Sequence, residues 1–247
     1  MNREYHQWFS PHLNRTMELL VLGTSGTRVL VFPARMGRFY DYEDWGLSEV
    51  LKPHLCNGEL QLFCVDSIDG ESLYNFWADP PHRIRRHLAY EQYVLKEVLP
   101  FSEKKNPNSS LISHGCSLGA FHAVNIAFRH PQLFDKVIAF SGRYDLSVPV
   151  AEFSSLFGDY YDEEIYFNTP SHFLYNLRDE YWLEHLRQME IVLTCGNEDP
   201  FLENNRAFSQ LLWQKRICHS YYEWQGRAHK PHYWRQMIGV YLQALLC

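Results

Sequence analysis

The feature that most constrains the fold is a regular alternation of short apolar runs with amphipathic stretches along the chain. Most of the runs are nearly continuously apolar and rich in β-branched residues, as strands buried on both faces of a sheet are. Alternation of strands and helices predicts an α/β protein, with a mostly parallel central sheet and helices on both of its faces. The predicted strands are residues 18–22, 28–32, 60–65, 110–113, 136–140, 190–194 and 217–224. The predicted helices are residues 83–98, which stop at Pro100, and 118–128, 201–213 and 233–246.

A length of 247 residues is compatible with one large domain, and we predict a single domain over 1–247.

Two segments interrupt the alternation of strands and helices. Residues 102–109 are polar and predict a surface connection, while residues 145–187 contain many aromatic and acidic side chains and no clear strand. We interpret 145–187 as a helical insertion over the active-site end of the sheet. It either forms one wall of a substrate cleft or packs on the surface.

Charge and composition argue against several classes of protein. The formal net charge of −6 argues against a nucleic-acid partner, which usually requires a basic face. No apolar segment approaches the ~18 residues of a membrane span, so no membrane association is expected.

The N-terminal residues do not resemble a secretory signal, and scattered cysteines without a CxxC pair indicate reduced thiols and a cytoplasmic location. The cysteines are Cys56, Cys64, Cys116, Cys195, Cys218 and Cys247. No metal-ligand cluster or phosphate-binding glycine loop is present, so no metal or cofactor is predicted, and homo-oligomer formation is left open.

The clearest chemical motif is the GxSxG pentapeptide of residues 115–119, centred on Ser117. It lies between a predicted strand and a predicted helix, which is the context of a nucleophile elbow. Such an elbow presents a serine hydroxyl on a tight turn, and small flanking residues permit the close approach of the neighbouring chain. The alternatives are a plain strand–helix turn and a thiol nucleophile at Cys116. The Cys116 side chain is expected to point away from the cleft.

A nucleophilic serine needs a general base and an acid that orients the base. In hydrolases with a nucleophile elbow, the acid follows the serine in the chain and a histidine follows the acid. Glu198 and Asp199 both follow the strand at 190–194, and we favour Asp199 because its shorter side chain suits a tight turn. Asp199 could instead cap the next helix.

Two histidines follow the last predicted strand and compete for the role of base. His229 lies in the loop, whereas His232 lies where the last helix begins. A base that serves both serine and leaving group is better placed on the loop, so we favour His229. His219 falls within the predicted strand 217–224 and is interpreted as structural.

An oxyanion hole requires two backbone N–H donors. One is expected from Leu118, directly after the nucleophile. The other is expected from the loop after the strand at 28–32, with Arg35 or Met36 as candidates. The side chains of Arg35 and Arg38 either contact an acidic group of the substrate or lie in solvent.

In these residues and motifs the chain resembles the putative esterase family of the α/β-hydrolase superfamily. That family includes S-formylglutathione hydrolases, feruloyl esterases and mycolyltransferase-like proteins. The resemblance covers nearly the whole chain and rests on the loop at 32–38, the elbow at 115–119, and residues 196–199 and 229–234. Aligning Trp234 with the final tryptophan of the family pattern HDWPYW places His229 at the catalytic position. Lys230 and Pro231 depart from that pattern. The resemblance implies an α/β-hydrolase fold.

The sequence therefore predicts a serine carboxylesterase with Ser117, His229 and Asp199 as catalytic residues. Its expected substrate is a small molecule, an ester with a short-to-medium acyl chain, hydrolysed through an acyl-enzyme. A thioesterase or acyltransferase would use the same residues, because these reactions differ in the acceptor admitted to the cleft. A noncatalytic interaction protein on the same fold is the alternative from another class. Residues that bind the substrate are not identifiable from the sequence.

Overall fold

The computed structural model describes residues 1–246, apart from the side chains of residues 243–245, and contains one eight-stranded sheet. The strand order is β1-β2-β4-β3-β5-β6-β7-β8. Strand β2 pairs antiparallel with β1 and β4, and every other neighbouring pair is parallel, which confirms the predicted mostly parallel sheet. The strands are β1 (Arg3–Ser10), β2 (Arg15–Leu22), β3 (Thr27–Phe32), β4 (Leu60–Val65), β5 (Leu111–Cys116), β6 (Lys136–Phe140), β7 (Glu190–Gly196) and β8 (Ser220–Trp224).

The α-helices cover both faces of the sheet, as predicted. They are α1 (Asp41–Asp44), α2 (Leu47–Val50), α3 (Lys52–Cys56), α4 (Pro80–Tyr93), α5 (Leu99–Lys105), α6 (Leu118–Arg129), α7 (Glu163–Phe167), α8 (Pro170–Asn176), α9 (Glu180–Gln188), α10 (Leu202–Gln214) and α11 (Pro231–Leu246). Alternate residues of β6 enter two separate cores, because successive side chains of a strand point to opposite faces. Val137 and Ala139 pack with α4, α6 and α10, whereas Ile138 and Phe140 pack with α1–α3 and α11.

The structure differs from the prediction in one additional strand and in the boundaries of several elements. Strand β1 was not predicted, because it is an edge strand whose residues alternate between exposed and partly buried and therefore lacks an apolar run. The helix expected to stop at Pro100 continues to Lys105, so the predicted surface connection at 102–109 is partly helical. A π-helical turn over Val94–Val98 precedes the proline and accommodates the residue that has no amide hydrogen. Strand β8 begins at Ser220, so His219 precedes the strand and contacts Ser209 Oγ at 2.7 Å.

The segment 145–187 contains the short helices α7, α8 and α9 and, among the described residues, one isolated β-bridge between Val150 and Phe153. Helix α9 packs back onto α6, where Trp182 donates from Nε1 to the carbonyl of Phe128 at 2.8 Å. Before α7, Leu146 and Phe153 line a cavity together with Ser117, which follows β5. Within residues 1–246, no helix is long and apolar enough to cross a membrane.

Candidate active site

Ser117 occupies a strained turn between β5 and α6. Its backbone has φ 57° and ψ −121°, a conformation that a non-glycine residue rarely adopts. Both glycines of the pentapeptide are required by close backbone contacts. A Cβ on Gly115 would lie 2.2 Å from the backbone of Gly119, and a Cβ on Gly119 would lie 2.4 Å from the carbonyl oxygen of Phe32. The turn therefore holds the Ser117 hydroxyl at the carboxyl edge of the sheet.

The structure brings Ser117, His229 and Asp199 into one hydrogen-bonded chain. His229 Nε2 lies 2.9 Å from Ser117 Oγ, and His229 Nδ1 lies 2.8 Å from Asp199 Oδ2. Because an ionised carboxylate only accepts hydrogen bonds, Nδ1 carries the proton and Nε2 is left to accept the proton of the serine. The Asp199 carboxylate is fully buried, and its other oxygen accepts from the amide of Phe201 at 3.0 Å. This arrangement can make a serine hydroxyl nucleophilic.

Close packing of two loops brings the acid and the histidine together. A Cβ on Gly196, at the end of β7, would lie 2.1 Å from the carbonyl oxygen of Arg227, so the loop before His229 crosses directly over this glycine. The amide of Glu198 donates to Gly226 O at 3.1 Å, which ties the two loops further. Ala228 is buried and has φ 49°, a positive value that turns the chain back toward the elbow.

The competing acid and histidine lie elsewhere. Glu198 is exposed, whereas its neighbour Asp199 is the acid hydrogen-bonded to His229. His232 is exposed in the first turn of α11 and its ring packs on Tyr233 with centroids 4.0 Å apart. Among the described residues, His229 is the histidine within hydrogen-bond distance of Ser117 Oγ.

One of the proposed oxyanion donors is engaged elsewhere. Leu118 is the first residue of α6, so its amide has no carbonyl acceptor within the helix. The amide of Met36, by contrast, donates to the buried carboxylate of Asp69 at 2.9 Å. Because the Met36 amide already has this acceptor, we favour Arg35 over Met36 as the candidate donor from this loop. The Arg38 side chain pairs with Asp66 and Glu18 and does not line the cavity at Ser117.

The hydroxyl of Ser117 opens into a cavity of about 260 Å³. The cavity is lined by Arg35, Tyr74, Ser117, Leu118, Arg143, Leu146, Phe153, Phe201, His229 and Trp234. Tyr74 and Arg143 were not predicted as cavity residues. Arg143 follows β6, and the rule that ligands bind at the carboxyl ends of parallel strands could have found it. Tyr74 lies in the long connection between β4 and α4, where no sequence pattern identifies it.

The thiol of Cys116 does not compete as a nucleophile in this geometry. Its side chain lies in the core on the α11 face of the sheet and is 3% exposed. Burial raises the pKa of this thiol well above its ordinary value, which disfavours the reactive thiolate.

Comparisons with known proteins identify the family and the fold of this chain. Residues 64–240, more than half of the chain, match the family model described as "Putative esterase". A solved ferulic acid esterase is 18% identical, with a TM-score of 0.76 over 99% of this chain and 98% of that one. An S-formylglutathione hydrolase from Agrobacterium tumefaciens is 15% identical, with a TM-score of 0.75 over 99% and 94% of the two chains. FphF, a fluorophosphonate-binding serine hydrolase of Staphylococcus aureus, is 16% identical, with a TM-score of 0.72 over 100% and 98%. The comparison with curated proteins finds no match.

The likeness to these structures shows the α/β-hydrolase fold that the sequence predicted. The chain belongs to the putative esterase family.

Asp69→Ala is expected to lower kcat/KM for a soluble ester about tenfold. The Asp69 carboxylate, also 3.3 Å from His122 Nε2, anchors the loop that carries Arg35, and a hydrogen bond to a charged group is worth about 1.5–3 kcal/mol. Steady-state hydrolysis of 4-nitrophenyl butyrate measures the effect, with circular dichroism as the control for folding. A folded variant with unchanged kcat/KM would show that this anchor has no catalytic consequence.

Proposed function

We propose that this chain is a carboxylesterase for short-to-medium acyl esters, in which Ser117 is the nucleophile, His229 the general base and Asp199 the orienting acid. The observation that carries the proposal is the continuous hydrogen-bonded chain from Asp199 through His229 to Ser117, with heavy-atom distances of 2.8 and 2.9 Å. Membership of the putative esterase family supports the same reaction class.

The reaction follows from the positions of these atoms. His229 Nε2 takes the hydroxyl proton as Ser117 Oγ attacks the ester carbonyl, and the carbonyl oxygen becomes an oxyanion. The amides of Leu118 and Arg35 are the proposed donors to that oxyanion. The intermediate then collapses, the C–O bond to the alcohol breaks, and His229 returns the proton to the departing alkoxide. A water molecule, deprotonated by His229, hydrolyses the acyl-enzyme and regenerates Ser117.

The test is labelling with a fluorophosphonate probe followed by mass mapping of the modified peptide. We expect the label on Ser117, together with hydrolysis of 4-nitrophenyl esters. A folded protein that hydrolyses no ester and takes up no label would overturn the proposal in favour of a noncatalytic role. A label on another residue would overturn the assignment of the nucleophile.

Short acyl chains are expected to be hydrolysed faster than long ones. The cavity at Ser117 holds about 260 Å³, and helices α7–α9 of the segment 145–187 do not form the leucine-rich amphipathic lid of an interfacial lipase. We therefore expect kcat/KM for 4-nitrophenyl butyrate to exceed that for the palmitate ester at matched solubility. Faster hydrolysis of the palmitate would contradict this expectation.

We further propose that the enzyme works in the cytoplasm. Support comes from the five described cysteines, which are free thiols, a state typical of a reducing compartment. Cys247 lies outside the described residues.

A further inference from the structure

A second cavity adjoins the one at Ser117 and is lined by positive charge. It holds about 640 Å³ and shares Arg35, Tyr74, Arg143 and Phe153 with the cavity at the serine. Arg83, from α4, adds a third guanidinium group to its wall. The shared residues place the second cavity directly beside the one at Ser117, and three arginines line the cleft that the two cavities make up.

Arg143 is a buried cation without an acidic partner. It is 5% exposed, and its guanidinium donates to three neutral backbone carbonyls, those of Asp145 (3.1 Å), Val148 (2.7 Å) and Ser154 (3.0 Å). The neighbouring carboxylate of Asp145 is directed instead to Ser147 and His172. Burial lowers the pKa of the Arg143 guanidinium, which reflects the cost of holding its charge away from water.

Arg83 is likewise a buried cation without an acidic partner among the described residues. It is 4% exposed, its Cζ lies 4.6 Å from the ring centroid of Phe76 and 5.6 Å from that of Phe157, and it donates to the carbonyl of Leu73. Its buried Nε has no hydrogen-bond partner in the described part of the chain. Burial lowers the pKa of this guanidinium as well.

Arg35, on the exposed side of the cleft, lies 5.5 Å over the ring of Tyr74. Within residues 1–246, none of the three arginines forms an ion pair with a carboxylate. The acid in this cleft is Glu152, which is exposed and paired with Arg227 at 3.4 Å. In a protein of net charge −6, three such cations around one acid leave a local positive potential.

We propose that the preferred substrates are anionic esters, with a carboxylate that binds among Arg35, Arg83 and Arg143 while the ester carbonyl lies at Ser117. This inference rests on the proposed esterase activity and names its substrate class. A buried charge without a partner is costly, and a bound carboxylate would satisfy the free donors of these guanidinium groups. The carboxylate belongs either to the acyl group or to the alcohol, and the chemistry of recognition is the same.

The test compares anionic and neutral esters of nearly equal size. For the acyl side, 4-nitrophenyl hydrogen adipate is compared with 4-nitrophenyl methyl adipate. For the alcohol side, 4-carboxyphenyl butyrate is compared with its methyl ester. We expect kcat/KM for the acid to exceed that for the neutral ester about tenfold in at least one pair, with the preference falling as salt increases. The pair that responds identifies which part of the substrate bears the charge.

Variants of single arginines show which guanidinium groups produce the preference for the anionic ester. Arg35→Gln and Arg83→Gln are each expected to reduce the ratio of the two kcat/KM values at least fivefold. Arg85→Gln removes the same charge from the exposed side of α4, two residues from Arg83, and is expected to leave the ratio unchanged. Because the ratio compares two substrates of one variant, a loss of general activity does not alter it. Competitive inhibition of butyrate hydrolysis by free adipate provides a readout in the unmodified protein.

The outcomes separate this inference from the esterase proposal. Hydrolysis of the neutral esters by Ser117, with no preference for the acid in either pair and no inhibition by adipate, would overturn the anionic substrate class alone. An equal loss of the ratio in Arg85→Gln would also overturn it, because the preference would then follow net charge. Failure to hydrolyse any of the four esters would overturn the proposed function and this inference with it.

Discussion

Replacing Ser117 by alanine is expected to lower kcat for ester hydrolysis by about 10⁴–10⁶-fold, the range found when a catalytic triad loses its nucleophile. The Ser117 hydroxyl is hydrogen-bonded to His229, so the substitution removes the proposed nucleophile and retains the β-carbon. Burst and steady-state kinetics with 4-nitrophenyl butyrate measure the loss. The acyl-enzyme burst is expected to disappear as well.

Cys116→Ala provides the matched control for this experiment. The thiol adjoins Ser117 in the chain but packs in the core on the α11 face of the sheet. The variant removes a buried sulfur atom, so we expect a modest loss of stability and retention of most activity. Loss of turnover in folded Cys116→Ala together with activity in Ser117→Ala would show that the nucleophile is the thiol.

The positions of the site residues were predictable because a parallel sheet collects the carboxyl ends of its strands at one edge. Ser117 follows β5, Asp199 follows β7 and His229 follows β8. The alternation of strands and helices and the order of the three residues in the chain therefore sufficed to predict that they lie close together. The choice of His229 over His232 also followed from local sequence, because Pro231 begins a helix at this point.

The features that the sequence did not predict depend on contacts between distant segments. The orientation of the Met36 amide is set by Asp69, 33 residues later, and no local pattern reveals that contact. Likewise, Arg83 belongs to an amphipathic helix, where an arginine is usually a solvated side chain. It becomes part of a cleft because Phe157, from the segment 145–187, lies beside it. Strand β1 is stabilised by its pairing with β2, which an alternating pattern of polar and aromatic residues only weakly predicts.

His229→Ala is expected to reduce kcat as much as Ser117→Ala, by about 10⁴–10⁶-fold. Without the imidazole, Ser117 Oγ has no base to take its proton, and the buried carboxylate of Asp199 loses its partner. The double variant Ser117→Ala/His229→Ala is expected to have nearly the same kcat as either single variant. The losses do not add, because both residues take part in the same proton transfer. Steady-state hydrolysis of 4-nitrophenyl butyrate by the three variants measures this.

The variant His232→Ala tests whether His232, rather than His229, is the general base. This histidine lies three residues from His229, but its exposed ring packs on Tyr233 and makes no contact with Ser117. Its loss should cost about tenfold or less, through local packing or substrate binding. The pH profile provides a second criterion, since the ionisation of the base controls kcat/KM at low pH. His232→Ala should therefore keep the acidic limb of the wild-type profile, whereas the residual activity of His229→Ala should lose it. A larger loss of kcat in His232→Ala than in His229→Ala, with both proteins folded, would transfer the role of base to His232.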